Sequence, residues 1–145
     1  MIDVRLENDL NLIHRIANSD AVRPFIRPDG APMDWTPLLR FSPAESRAIV
    51  LSNGHDALAA FEQTAPGIYQ THTMFAATCR GRRAIDTGRA MLAWMFERGA
   101  EMIWGSTPRV NRRACWFNRH LGASEMPTSD EEDIVFEIRR SRWAN

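Results

Sequence analysis

The chain has 145 residues, 44% of them hydrophobic and 25% charged, with 18 basic against 18 acidic side chains. At roughly 150 residues per domain this reads as one domain over 1–145, and the composition excludes a disordered or collagen-like chain. The balanced charge argues against a globally basic nucleic-acid binder.

All 18 basic residues are arginine, which removes Schiff-base chemistry, a lysine base and a phosphate loop ending in Gly-Lys. Cys79 and Cys115 lack CxxC spacing and cannot make a zinc site. His14, His55 and His120 show no metal-ligand spacing, so no metal is expected. No stretch approaches the ~18 apolar residues of a membrane span. The opening MIDVRLENDL carries acids and no apolar run, unlike a signal peptide, so a reduced, cytoplasmic protein is expected.

Residues 2–6 alternate like a short strand. Residues 8–17 read as a helix capped by Asn8 or Asp9, with Leu10, Leu12, Ile13 and Ile16 on one face. Prolines at 24, 28, 32, 37 and 43 forbid long regular elements there, though a short helix fits 34–39. Strands follow at 47–51 and 57–61, with Asn53-Gly54 as the hairpin signal between them. After Pro66-Gly67 comes a long strand, 68–77. Residues 83–98 form the clearest helix, with Ala84, Ile85, Gly88, Met91, Leu92, Met95 and Phe96 in one stripe and Gly99 at its end. A strand at 101–104, a helix at 111–120 ended by Gly122, and an alternating strand at 133–138 complete the chain. This order predicts a mixed sheet with helices on its faces, in the α/β or α+β class.

The most informative stretch is 74–85, where a strand passes through a short loop into the best helix. Arg80, Gly81, Arg82 and Arg83 stand at the helix start, where the dipole disfavours cations by several tenths of a kcal/mol each. Free amides, a glycine allowing close approach and guanidinium groups together make a phosphate or diphosphate cradle. The plainer alternative is a solvated basic loop held by carboxylates such as Asp86 or Glu97. A second segment, Asn111 to Ala123, reads by itself only as a capped helix.

In this order the two segments resemble the GNAT superfamily of acyl-CoA N-acyltransferases. The family's acyl-CoA signature, Gln/Arg-x-x-Gly-x-Gly/Ala, falls on Arg80-Gly81-Arg82-Arg83-Ala84-Ile85. Arg80 matches, but Arg83 replaces the core glycine and Ile85 the last Gly/Ala. The second family segment matches at Asn111, Ala114 and Gly122, and departs at Asn118, where tyrosine is usual, and at Ala123. The run His-Thr-Met-Phe followed by Arg-Gly-Arg-Arg-Ala is most similar to divergent, phage-associated GNAT-like proteins.

The resemblance implies a mostly antiparallel sheet of six or seven strands, with the fourth splayed from the fifth. It implies acetyl-CoA as cosubstrate and an amine as acceptor. The main chain of Phe75, Ala76 and Ala77 would meet the pantetheine, and backbone donors from Arg80 through Arg82, Arg83 and Ala84 to Ile85, with Asn111 nearby, the diphosphate. His72 is the expected base, histidine being the side chain most often used for proton transfer; its alternative is a hydrogen-bonded histidine on the sheet surface. Glu62 and Glu45 are weaker candidates, and Cys115 or water stands in for the missing tyrosine acid. A homodimer through the sheet edge is compatible with the family.

Two other readings compete with an N-acetyltransferase. One is a GNAT-fold protein that no longer catalyses, serving as a CoA-binding or phage-associated accessory protein. The other is a nucleic-acid module using Arg80–Arg83 with Arg109, Arg112 and Arg113, which the zero net charge opposes.

Overall fold

In the computed structural model, which describes residues 2–26 and 48–143, seven strands form one sheet. They are β1 (Arg5–Leu6), β2 (Ala48–Ser52), β3 (Ala57–Ala65), β4 (Ile68–Phe75), β5 (Met102–Pro108), β6 (Ser124–Met126) and β7 (Asp133–Arg139), in the order β1-β2-β3-β4-β5-β7-β6. The helices are α1 (Leu10–Ala17), α2 (Arg23–Ile26), α3 (Gly81–Glu97) and α4 (Arg112–Leu121), with a 3-10 turn at Arg140–Arg142. Every neighbouring pair of strands is antiparallel except β4–β5, which is parallel. The mixed, mostly antiparallel sheet with helices on both faces is the expected class. The short helix expected at 34–39 and Glu45 lie outside the described residues. No described helix is long and apolar enough to cross a membrane.

The hydrophobic pattern explains the layering. Ala57 to Phe61 on β3 are all buried, because helices cover both faces of that strand. On one face, Leu12, Ile13, Ile16 and Ala17 of α1 pack against Val50, Leu58, Ala60 and Met74. On the other, Met91, Leu92, Met95 and Phe96 of α3 pack against Leu51, Ala59, Phe61 and Phe75. Side chains alternate along each strand, so one strand feeds both clusters.

Local capping sets the helix ends. Asp9 Oδ1 accepts from the Asn11 N–H at 3.0 Å and starts α1. Asn111 Oδ1 accepts from the Ala114 N–H at 3.2 Å and starts α4. Each cap stabilises by about 1 kcal/mol. Gly88 lets α4 lie against α3: a Cβ there would stand 2.7 Å from Phe117 Cζ and 3.1 Å from Leu121 Cδ2.

The boundaries depart from expectation in informative places. β4 ends at Phe75 rather than at residue 77, because the Ala76 N–H turns to the Asp56 carbonyl (2.8 Å) and the Cys79 N–H closes onto the Ala76 carbonyl (2.9 Å). β5 runs on to Pro108 through the poor strand formers Gly105 and Ser106, because β7 pairs along its whole length. The short strand β6 has no periodic signal of its own and exists by pairing with β7.

Candidate functional site

The parallel pairing of β4 with β5 lasts three positions, Ile68 with Met102, Tyr69 with Ile103 and Gln70 with Trp104. Beyond Gln70 the strands part: β4 continues beside β3 alone, and β5 beside β7 alone. Among the described residues, the edge of Thr71 to Phe75 that faces β5 has no partner strand. Unpaired strand edges bind extended chains. Gly105 sits at the fork, where a Cβ would come within 3.2 Å of the Thr71 carbonyl oxygen. Thr71 Oγ1 is buried there with no hydrogen-bond partner among the described residues.

A cleft of about 760 Å³ opens from this wedge to the starts of α3 and α4. Thr73 and Phe75 of β4, Arg80 and Gly81 of the α3 start, and Asn111 and Arg113 of the α4 start contribute to its walls. Asp20 to Val22, after α1, close the far side. Phe75 and Phe117, both on its walls, meet edge to face with ring centroids 5.1 Å apart.

α3 begins at Gly81, two residues earlier than its apolar stripe suggests, and differs from α1 and α4 at that end. Its N-cap residue Arg80 makes no side-chain cap, whereas its first turn, like those of α1 and α4, holds no acid. The first amide that closes a helical bond is Ala84, onto the Arg80 carbonyl at 3.4 Å. The N–H groups of Gly81, Arg82 and Arg83 therefore lack intrahelical acceptors. Gly81 takes φ +59°, and the position of a Cβ on it is open space. The expected run of backbone donors is thus shorter: Ala84 and Ile85 spend theirs inside the helix.

The three arginines separate into different roles. Arg82 Nε pairs with Asp86 Oδ1 at 3.0 Å on the surface, as the plainer alternative anticipated. Arg83 reaches away from the cleft, its guanidinium 3.0 Å from Oδ1 of Asp56. Arg80 lines the cleft and reaches no described carboxylate; it donates to the carbonyls of Phe75 and Cys79, each at 3.2 Å. Its buried Nε has no hydrogen-bond partner among the described residues. Burial first, and repulsion from Arg113 second, hold the Arg80 guanidinium below its ordinary range.

Asp56, absent from the sequence expectations, organises the loop before α3. It accepts from Thr78 Oγ1 (2.6 Å), Asn53 Nδ2 (2.8 Å) and Arg83 (3.0 Å). Burial alone would raise its carboxyl, but these hydrogen bonds and the Arg83 charge outweigh burial and hold it below the usual range. No local signal marks this role, because Thr78 and Arg83 come to Asp56 through the β3–β4 pairing.

Two main-chain positions expected to meet a ligand are already engaged. Ala76 uses both its N–H and its carbonyl internally, and the Phe75 carbonyl holds Arg80. Ala77 is exposed in the loop. His72 is exposed on β4 two residues past the fork, on the same face as Met74 and α1 rather than on the Phe75 face. Glu62 lies opposite Gln70 in the register.

No protein-family model and no curated protein matches the chain. Solved structures do match it in shape. The GNAT domain of S. lividans PAT is similar with TM-score 0.70 and 13% identity, over 94% of this chain and 89% of that one. The ribosomal-protein-S5-alanine acetyltransferase from Vibrio fischeri is similar with TM-score 0.68 and 14% identity, over 98% and 94%. The aminoglycoside acetyltransferase AAC(6')-Ib, in complex with coenzyme A, is similar with TM-score 0.71 and 15% identity, over 95% and 94%. The fold is that of the GNAT acetyltransferases.

In this GNAT fold the tyrosine position carries Asn118, whose Nδ2 donates to Thr107 Oγ1 on β5 at 3.0 Å. Cys115 does not replace the tyrosine. It is buried against Ile134 and Phe136, on the β7 side of α4. Cys79 is buried at the loop, where burial raises its thiol above the ordinary range.

Proposed function

We propose that the protein is an N-acetyltransferase that moves an acetyl group from acetyl-CoA to an amine. The observation that carries this is the meeting, in one cleft, of an unpartnered strand edge and an uncapped helix start that holds no acid. The residues fit the donor. The amides of Gly81, Arg82 and Arg83 would hold its diphosphate, with Arg80 supplying charge. The open space beside Gly81 admits the anion. Pantetheine, an extended amide chain, would lie along Thr71 to Phe75 as an added strand, with Asn111 and Ala84 bordering its entry.

In the reaction the amine nitrogen attacks the thioester carbonyl, a C–N bond forms and the C–S bond breaks. The amine loses a proton and the departing thiolate gains one. His72 takes the amine proton, since it stands exposed next to the fork and open to the α1 face. An edge N–H of β4 steadies the oxyanion. Asn118 cannot return a proton at neutral pH, so water supplies it to the thiolate.

The same asparagine favours a second reading, a GNAT-fold protein that binds CoA without catalysis in a phage-associated accessory role. Its Nδ2 is spent on Thr107, and its amide carries no acidic proton to give. A thermal-shift panel of acetyl-CoA, CoA and unrelated nucleotides tests the donor site, because a ligand of the native state raises the melting temperature. Thiol release with a panel of amines then separates the two readings. Stabilisation with release supports the enzyme, and stabilisation without release supports the accessory protein. Absence of any shift with CoA removes both.

A further inference from the structure

Six of the fifteen described arginines are closely neutralised. Arg5, Arg82, Arg83, Arg119, Arg139 and Arg140 each reach a carboxylate within 3.4 Å. The three that line the cleft, Arg80, Arg112 and Arg113, reach none among the described residues. The one described carboxylate on the cleft wall, Asp20, is exposed and stands 3.9 Å from Arg23. Arg112 and Arg113 occupy the first turn of α4, where their charges oppose the helix dipole. They are not needed to cap it, since Asn111 already does so. Arg113 also stands close enough to Arg80 to repel it. Such an arrangement persists at a cost that an anion in the cleft would relieve.

One diphosphate on the α3 amides and Arg80 leaves the two α4 charges uncompensated. The same wall carries Val110 and Trp116, 89% and 43% exposed, two of the three large apolar side chains exposed among the described residues. An apolar, aromatic surface beside paired guanidinium groups suits a nucleoside that bears its own phosphate. We infer that Arg113, assisted by Arg112, holds a phosphomonoester of the donor separate from its diphosphate. The inference rests on the donor site proposed above and deepens it: the site selects CoA over the same molecule lacking its 3'-phosphate.

Calorimetric titration with CoA and with 3'-dephospho-CoA tests this, using the full chain and the surface variant Arg112→Ala/Arg113→Ala. The wild type should bind CoA about tenfold more tightly than dephospho-CoA, the size expected of a charge-assisted contact in a half-open site. In the variant that ratio should fall to about one, with dephospho-CoA affinity changed less than about twofold. Raising the salt should shrink the wild-type ratio. Equal wild-type affinity for the two ligands, or a ratio that survives in the variant, overturns the inference alone. An equal loss of both ligands in the variant also overturns it, because the arginines would then act on the diphosphate. Wild-type protein that binds neither ligand overturns the donor site itself, and this inference with it.

Discussion

The guanidinium of Arg83 lies 3.0 Å from Oδ1 of Asp56, a residue 27 positions earlier in the chain. Arg83 occupies the position where the GNAT signature has its core glycine, so a bulky cation there would be expected to obstruct the anion site. Asp56 instead draws the side chain off the cleft wall, to the other side of the loop. The substitution therefore exchanges close backbone approach for a tether. Asp56 joins α3 to the β2–β3 turn and, through Thr78, to the loop that leaves β4.

Asp56→Ala should therefore destabilise the fold by about 2 kcal/mol, since it strands the Thr78 and Asn53 donors as well as the Arg83 charge. Arg83→Gly should cost only about 1–2 kcal/mol, combining a half-exposed ion pair with glycine in a helix. It should leave CoA affinity within about threefold. Urea unfolding and calorimetry measure the two effects. A large loss of CoA binding in Arg83→Gly would show that the side chain contacts the ligand.

The pH dependence of stability follows from the same carboxylate. Asp56 is held below its ordinary value of 3.8, so on acidification the unfolded chain takes up its proton first. The stability it contributes is complete above that value and is lost as pH falls through the lower, folded one. Glu7 acts in the same direction from its ordinary 4.5; burial opposes the shift, and hydrogen bonds from Ser52 and the Asp9 amide outweigh it. Urea midpoints should be nearly flat from pH 7 to pH 5 and fall steeply below about pH 4.5. Asp56→Asn should flatten that fall, and an unchanged slope would mean that the tether carries no linkage.

Arg80 and Arg82 sit two residues apart in the signature, yet they should respond differently. Arg80→Ala removes the only signature guanidinium on the cleft wall and should weaken CoA binding about tenfold or more. Arg82→Ala removes a surface ion pair with Asp86 and should change binding less than about twofold. Titration of both variants beside wild type decides the matter, and equal losses would place the diphosphate differently.

His72→Gln keeps a side chain of similar reach and removes the base. Turnover should fall about a hundredfold, the usual contribution of a positioned base, while acetyl-CoA affinity stays within about twofold. Thiol release at saturating donor measures the turnover. A rate identical to wild type would return His72 to an ordinary place on the sheet surface.

Sequence alone determined what depends on a few neighbouring residues. Asp9 and Asn111 cap amides two to three positions on, the stripe from Ala84 to Phe96 repeats within one helix, and Gly122 ends α4 at φ +95°. Those interactions are local, so their residue types and spacings suffice. The crowding of cations at the start of α3 was legible for the same reason. Which of those cations faces a ligand was not, because the partners that neutralise Arg82 and Arg83 differ in kind. Asp86 is one helical turn away, while Asp56 arrives only when β3 pairs with β4. The face that His72 takes, the engagement of the Ala76 backbone and the place of Arg113 on the cleft wall likewise emerge from strand register and helix packing. The wedge is the clearest case. It is a place where β4 and β5 fail to pair after Gln70 because β5 follows β7, and a missing contact between distant segments leaves no trace in the local sequence of either one.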